Sequence, residues 1–157
     1  LENLHAPLPC QYTNLCAVCQ AQLRIMKVRY PKPGIVYKGA IPVAEIALNT
    51  SDKYLTILIS ALLGNAYKFT QEGTISLECD RLGDDRVFVA VADTGCGIPP
   101  EKHGYVFERF TKLDPFSQGN GLGLYLCRLI VTHLHGEIYI DSGYTGGTRI
   151  VAILPRR

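Results

Sequence analysis

The chain has 157 residues, 47% of them hydrophobic and 19% charged, and a formal net charge of +2. This length and composition fit one domain with a real core and exclude a disordered segment. The scattered lysines and arginines argue against nucleic acid or an anionic membrane as the main partner, no apolar run reaches the ~20 residues of a membrane span, and the N-terminus lacks the basic-then-apolar layout of a signal peptide.

Residues 1–12 hold Pro7 and Pro9 and show no clear period. They read as a linker remnant ahead of a domain at 13–157, and a start at Leu1 rather than Met fits a piece of a longer protein. Thr13 or Asn14 can cap a helix running to Arg29, with Leu15, Val18, Leu23 and Met26 among its apolar positions. Pro31, Pro33 and Gly34 end it, and two short extended stretches follow at 35–41 and 44–48. Thr50, Ser51 and Asp52 then offer capping chemistry for a helix whose apolar positions Leu55, Leu58, Ile59, Leu62, Ala66 and Phe69 recur at helical spacing. Residues 74–80 alternate as a strand, Gly83, Asp84 and Asp85 make a turn, and 86–92 is apolar on both faces, as in a central strand.

Residues 93–121 hold several glycines and prolines and one short helix candidate at 101–110. So long a stretch with so little regular structure points to a functional segment. A helix over 122–134 is expected to stop at Gly136 in the C′ position, and 137–141 pairs with 148–154 across a turn at 143–147. Strands in hairpin pairs with helices between them predict an α+β two-layer sandwich: a mixed, mostly antiparallel sheet with helices on one face. Of the six cysteines, Cys16 and Cys19 form a C-x-x-C. A structural zinc site asks for a second such pair or a suitably spaced His pair, so these two read as small apolar residues packed on one helix. Reduced thiols fit a cytoplasmic location.

Three segments carry chemistry. Asn65 lies at the margin of the buried stripe of its helix, one turn before Lys68. It reads either as a carboxamide satisfied by nearby backbone or as an oxygen ligand for Mg²⁺, with Lys68 meeting phosphate oxygens. Asp93-Thr94-Gly95-Cys96-Gly97-Ile98-Pro99 follows the central strand directly. A strand-end carboxylate there can accept a hydrogen bond from an exocyclic amine such as that of adenine, and the glycines allow close backbone approach. A plain turn and an aspartic-protease tripeptide are the rival readings, the latter requiring a second such carboxylate from a homodimer. Gly119-Asn120-Gly121-Leu122-Gly123-Leu124 opens a helix, where exposed backbone N–H groups and the helix dipole favour phosphate. It lacks the Rossmann spacing and the Walker lysine, and a simple hinge is the alternative.

The order of these segments is more specific than any one of them. Residues 62–70, 93–99, 106–110 (Val-Phe-Glu-Arg-Phe), 119–124 and the Gly146-Gly147-Thr148 turn resemble, in order, the N, G1, F and G2 boxes and the final glycine turn of the catalytic ATP-binding domain of sensor histidine kinases. The resemblance spans about 15–155, and 107–124 looks especially like the bacterial hybrid two-component kinases. It implies a Bergerat-type fold and the cofactors ATP and Mg²⁺. Asn65 would hold Mg²⁺, Lys68 would pair with phosphate, and Phe69 would line the site. Asp93 would read the adenine amino group, with Gly95, Gly97 and Ile98 shaping the pocket and Thr148 assisting. Gly119, Gly121, Leu122, Gly123 and Leu124 would bring a lid, at about 94–121, over the phosphates. Phe107 and Phe110 would anchor it, and Arg109 would reach the γ-phosphate or a partner domain.

The implied partners are a dimerisation domain bearing the phosphoacceptor histidine and a response-regulator receiver domain, with no nucleic acid and no direct membrane contact by this domain. The acceptor itself is not expected here. His5 is followed by Ala6-Pro7-Leu8-Pro9, which is not the acceptor motif, and His103, His133 and His135 fit no better. Ala61 stands where the family usually places a second Asn or an acidic residue, Gly104 interrupts the lid helix, and Asn120 replaces a usual Thr or Ser. A nucleotide-binding regulatory module without catalysis, and another ATPase of the same fold, remain the alternatives.

Overall fold

The structure, a computed structural model, describes residues 11–104, 106–108 and 123–157. In chain order the elements are β1 (Gln11–Asn14), α1 (Leu15–Arg29), β2 (Ile35–Ala40), β3 (Ala47–Thr50), α2 (Asp52–Phe69), β4 (Gly73–Leu82), β5 (Arg86–Asp93), α3 (Gly123–His133), β6 (Glu137–Ile140) and β7 (Thr148–Pro155). A five-stranded sheet runs β2-β4-β5-β7-β6. Strand β2 is parallel to β4, and every other pairing is antiparallel. The parallel pair needs a crossover, which α2 supplies, whereas β4 and β5 are joined by a tight turn through Gly83.

Side chains alternate across a strand, so one face of each is committed to the core. Ile75, Leu77 and Cys79 of β4, Val87, Val89 and Val91 of β5, and Ile150, Ala152 and Leu154 of β7 are buried. The apolar stripe of α2, from Leu55 through Leu58, Ile59 and Leu62 to Ala66, is buried with them, and each large side chain contributes roughly 1.5–3 kcal/mol. Helix α1 packs beside α2 on β2 and β4, and α3 on β6 and β7. All three helices therefore lie on one face, which is the expected two-layer α+β sandwich. Strand β5 sits mid-sheet, and its second face also buries Ala90.

Four local expectations are corrected. Gln11 and Tyr12, read as linker, belong to β1, which pairs antiparallel with β3 from Gln11↔Thr50 to Asn14↔Ala47. Asn14 fixes that corner because its Oδ1 accepts from Cys16 N, capping α1, and from Ile46 N, the residue before β3. Strand β3 accordingly starts at Ala47, leaving Val43, Ala44 and Glu45 exposed. The helix expected over 101–110 is a 3-10 turn, Pro100–Lys102, in the described part of that segment. Finally, the left-handed residue after α3 is His135 (φ 64°), not Gly136. His135 N bonds Thr132 O and Gly136 N bonds Val131 O, the paired bonds of a Schellman ending. Gly136 is needed for space instead, since a Cβ there would overlap the Ile153 carbonyl.

Cys16 and Cys19 are buried against Cys79 of β4. Burial pushes the Cys16 thiol up to about 11, so it stays protonated and packs as a small apolar group.

Candidate functional site

The site begins where β5 runs out. Its apolar run ends in Asp93, which lies between Ile75 of β4 and Thr148 of β7. Asp93 is only 4% exposed. Its Oδ1 accepts from Gly95 N at 2.9 Å and Thr148 N at 3.3 Å. Oδ2 makes no hydrogen bond among the described residues, which leaves it free to accept from a ligand. Burial pushes the carboxyl above the usual carboxylate range, and the two amides oppose that shift. An ordinary turn aspartate would be exposed; this one is held at a fixed angle by backbone donors from two segments.

The loop after β5 folds back onto the end of α2, and Gly95 is the point of closest approach. A Cβ there would overlap the Phe69 carbonyl oxygen and stand 2.9 Å from Thr70 Oγ1 and 3.1 Å from Asp93 Oδ1. Thr94 stitches the same loop to β4, its Oγ1 accepting from Thr74 N at 3.0 Å. Helix α2 therefore delivers its last turn to the carboxylate. The helix starts at Ser51, whose Oγ accepts from Tyr54 N, and its buried stripe fixes its rotation. Phe69 is half-buried beside Gly95, Asn65 is half-buried one turn earlier, and the exposed Lys68 holds its Nζ 5.4 Å over the Phe69 ring. The Asn65 carboxamide makes no hydrogen bond among the described residues, so backbone satisfaction does not account for it. Metal binding fits an oxygen donor of this kind, with phosphate and water completing the shell; among the described residues no group of three or more His, Cys, Asp or Glu is arranged to hold a metal ion.

The third wall is the β6–β7 turn. Gly147 (φ 153°) has its Cα against the Asp93 peptide, where a Cβ would overlap the carbonyl oxygen. Thr148 is buried and donates its amide as above. Gly97 packs toward the Gly147 carbonyl, and Ile98 is 9% exposed in the core. Gly123 is the first residue of α3, and Leu124 is buried. Val106 is buried and Phe107 packs against the core. Arg109, Phe110, Gly119, Asn120, Gly121 and Leu122 lie outside the described residues. The structure thus brings Phe69, Asp93, Gly95 and Thr148 together, with Asn65 and Lys68 on the same helix end.

Sequence reasoning missed several residues here. Thr70, the C-cap of α2, is fully buried, and its hydroxyl has no hydrogen-bond partner among the described residues. Lys32 donates to Thr70 O at 3.0 Å and lies 4.7 Å over the Tyr67 ring, a cation at the negative end of α2. A His103 ring nitrogen stands 2.8 Å from Ile98 O, and Tyr144 Oη donates to Asp93 O at 3.2 Å. Lys32, His103 and Tyr144 belong to no spaced motif. Only Thr70, directly after Phe69 at a helix end, carried a local signal.

Residues 50–157 match the model of the histidine kinase-, DNA gyrase B- and HSP90-like ATPase family. Among curated proteins, the adaptive-response sensory kinase SasA of Gloeothece citriformis is 32% identical over 98% of this chain and 40% of its own length. The hybrid signal transduction histidine kinase K of Dictyostelium discoideum is 38% identical over 72% of this chain and 11% of its own. The chain thus spans well under half the length of these relatives. Among solved structures, full-length ShkA in complex with AMPPNP superimposes with a TM-score of 0.84 at 24% identity, over 98% of this chain and 33% of that one. The catalytic domain of histidine kinase ThkA gives 0.84 at 20% identity, over 95% and 99%. A family model that covers the carboxylate, the helix end and the glycine turn, on a sheet of matching topology, leaves one assignment: the chain belongs to the histidine kinase-, DNA gyrase B- and HSP90-like ATPase family, as a catalytic ATP-binding domain of the histidine-kinase kind.

Proposed function

We propose that this chain binds Mg·ATP between the end of α2, Asp93 and the β6–β7 turn, and presents the γ-phosphoryl group to a histidine imidazole on a separate dimerisation domain in the cytoplasm. A response-regulator receiver domain is the expected next acceptor. One observation carries the reading: a buried carboxylate whose Oδ1 is saturated by two amides while Oδ2 is left to accept from a base amine. Asn65 offers an amide oxygen to the metal, and Lys68 an ammonium to the phosphates. When bound, Mg²⁺ would offset the negative charge of the triphosphate. Transfer then asks for position and charge neutralisation, with the imidazole in line with the bond to the leaving ADP oxygen. No side chain of this chain has to act as nucleophile. Gly119, Gly121, Leu122, Gly123 and Leu124, which the family resemblance brings over the phosphates, and Arg109, which it directs to the γ-phosphate or a partner domain, complete the proposal.

Ala61 favours this reading over a self-sufficient ATPase. Related hydrolases use an acidic general base near that position, and an alanine methyl packed on the core cannot activate water. The test is calorimetric titration of an ATP analogue with and without Mg²⁺, on the chain and on Asn65→Ala. The unaltered chain binds more tightly with Mg²⁺, and the variant loses that increment while keeping metal-free binding. Mixing the chain with an acceptor-histidine domain and ATP yields acid-labile phosphohistidine, while the chain alone turns over little ATP. Absence of nucleotide binding, or fast hydrolysis by the isolated chain, overturns the proposal.

A further inference from the structure

We infer that Tyr144 is a positioning residue for the base-reading carboxylate and sharpens selectivity for adenine over guanine nucleotides. The inference rests on the ATP-site reading above. The Tyr144 hydroxyl donates to the main-chain carbonyl of Asp93 at 3.2 Å, and Gly147 of the same turn packs on that carbonyl. One hairpin turn thus grips the Asp93 peptide from two sides. The grip matters because the next peptides follow that plane. Thr94 N bonds Thr74 O, and Gly95 N bonds the Asp93 Oδ1 itself. If the plane tilts, the amide that aims the carboxylate tilts with it.

The turn that carries Tyr144 is itself braced. Tyr144 N bonds Asp141 O at 3.2 Å, and Gly143 N bonds Asp141 Oδ1 at 3.0 Å. Asp141 Oδ2 takes Arg149 Nη1 at 3.0 Å, and Arg149 Nη2 reaches Glu78 Oε1 on β4 at 3.1 Å. The hydroxyl is therefore presented from a turn pinned to two strands. Adenine offers an exocyclic amine to an ionised carboxylate, whereas guanine offers a carbonyl oxygen at the corresponding position, so two acceptors would face each other. A well-aimed carboxylate attracts the first and rejects the second. A loosened one does both less well.

The test is Tyr144→Phe, which keeps the ring and removes only the donor. Titrations with Mg·ATP and Mg·GTP are run on the unaltered and variant chains, with thermal unfolding of both. ATP affinity is expected to fall roughly three- to tenfold, as for loss of one hydrogen bond. GTP affinity changes less, so the ATP-to-GTP preference shrinks, while the melting temperature drops by no more than about 4 °C. Equal weakening of both nucleotides, or an unchanged preference, overturns the positioning role. If the unaltered chain binds neither nucleotide, the underlying site reading fails and this inference with it; binding with an undiminished preference in the variant refutes the inference alone.

Discussion

Replacing Gly95 by alanine tests whether the loop after β5 and the end of α2 form one rigid unit. The backbone conformation at Gly95 lies outside the left-handed region, so an added methyl group acts through space. The new Cβ would overlap the Phe69 carbonyl and stand 2.9 Å from Thr70 Oγ1, against 3.4 Å or more for ordinary contact. The loop must therefore retreat by at least about half an ångström from a helix end that the core holds in place. Overpacking of this kind costs about 1–3 kcal/mol, and for a chain of this length each kcal/mol lowers the melting temperature by about 2–4 °C. The same retreat drags Gly95 N off Asp93, so nucleotide affinity should fall about tenfold or more. Gly64→Ala is the internal control. It lies on the exposed side of α2, one residue before Asn65, with nothing within 4 Å of its Cβ position. That change should stabilise by up to about 1 kcal/mol on helix propensity alone. Differential scanning calorimetry and an ATP-analogue titration on the pair decide the matter. If Gly95→Ala melts and binds like the unaltered chain, the claimed contact between loop and helix end is wrong.

The raised Asp93 carboxyl predicts opposite pH effects on binding and stability. Reading an amine needs the ionised form, so ATP affinity should fall with pH through a value above the ordinary 3.8, and Asp93→Asn should flatten that profile. The folded chain holds this proton more tightly than the unfolded one, so Asp93's own contribution to stability grows as pH drops through the folded pKa. Urea unfolding at stepped pH on the chain and Asp93→Asn measures it. Thiol accessibility gives a simpler check. Cys96 is exposed while Cys16, Cys19, Cys79 and Cys127 are buried, and burial pushes Cys127 up to about 12. Iodoacetamide followed by peptide mapping should label Cys96 long before those four; early labelling of Cys127 would contradict the packing of α3.

Much of the fold was legible because its signals are local. Ser51 and the 3–4 spacing from Leu55 to Ala66 announce α2, and an apolar run ending in Asp93 announces a central strand with a carboxylate at its tip. What stayed hidden depends on partners far along the chain. Strand β1 is four residues with no apolar alternation and exists because β3 pairs with it. Gly136 looks like a helix terminator, yet its necessity comes from the carbonyl of Ile153, and a histidine takes the left-handed position. In the site, the motif residues could be named because they fall in a recognisable order. Lys32 and Tyr144 act through contacts made by the fold, such as the 51-position span from Tyr144 to Asp93, and no local spacing encodes those.

The amide of Thr148 reaches Asp93 across 55 positions of chain. Contacts of such separation are made only after the intervening loop has closed, so they belong to the late, cooperative part of folding. The proposed nucleotide site therefore depends on the finished sheet. Its occupancy reports on global integrity, and a bound purine triphosphate at a hundred times its dissociation constant would hold the whole domain together by about 2.7 kcal/mol more.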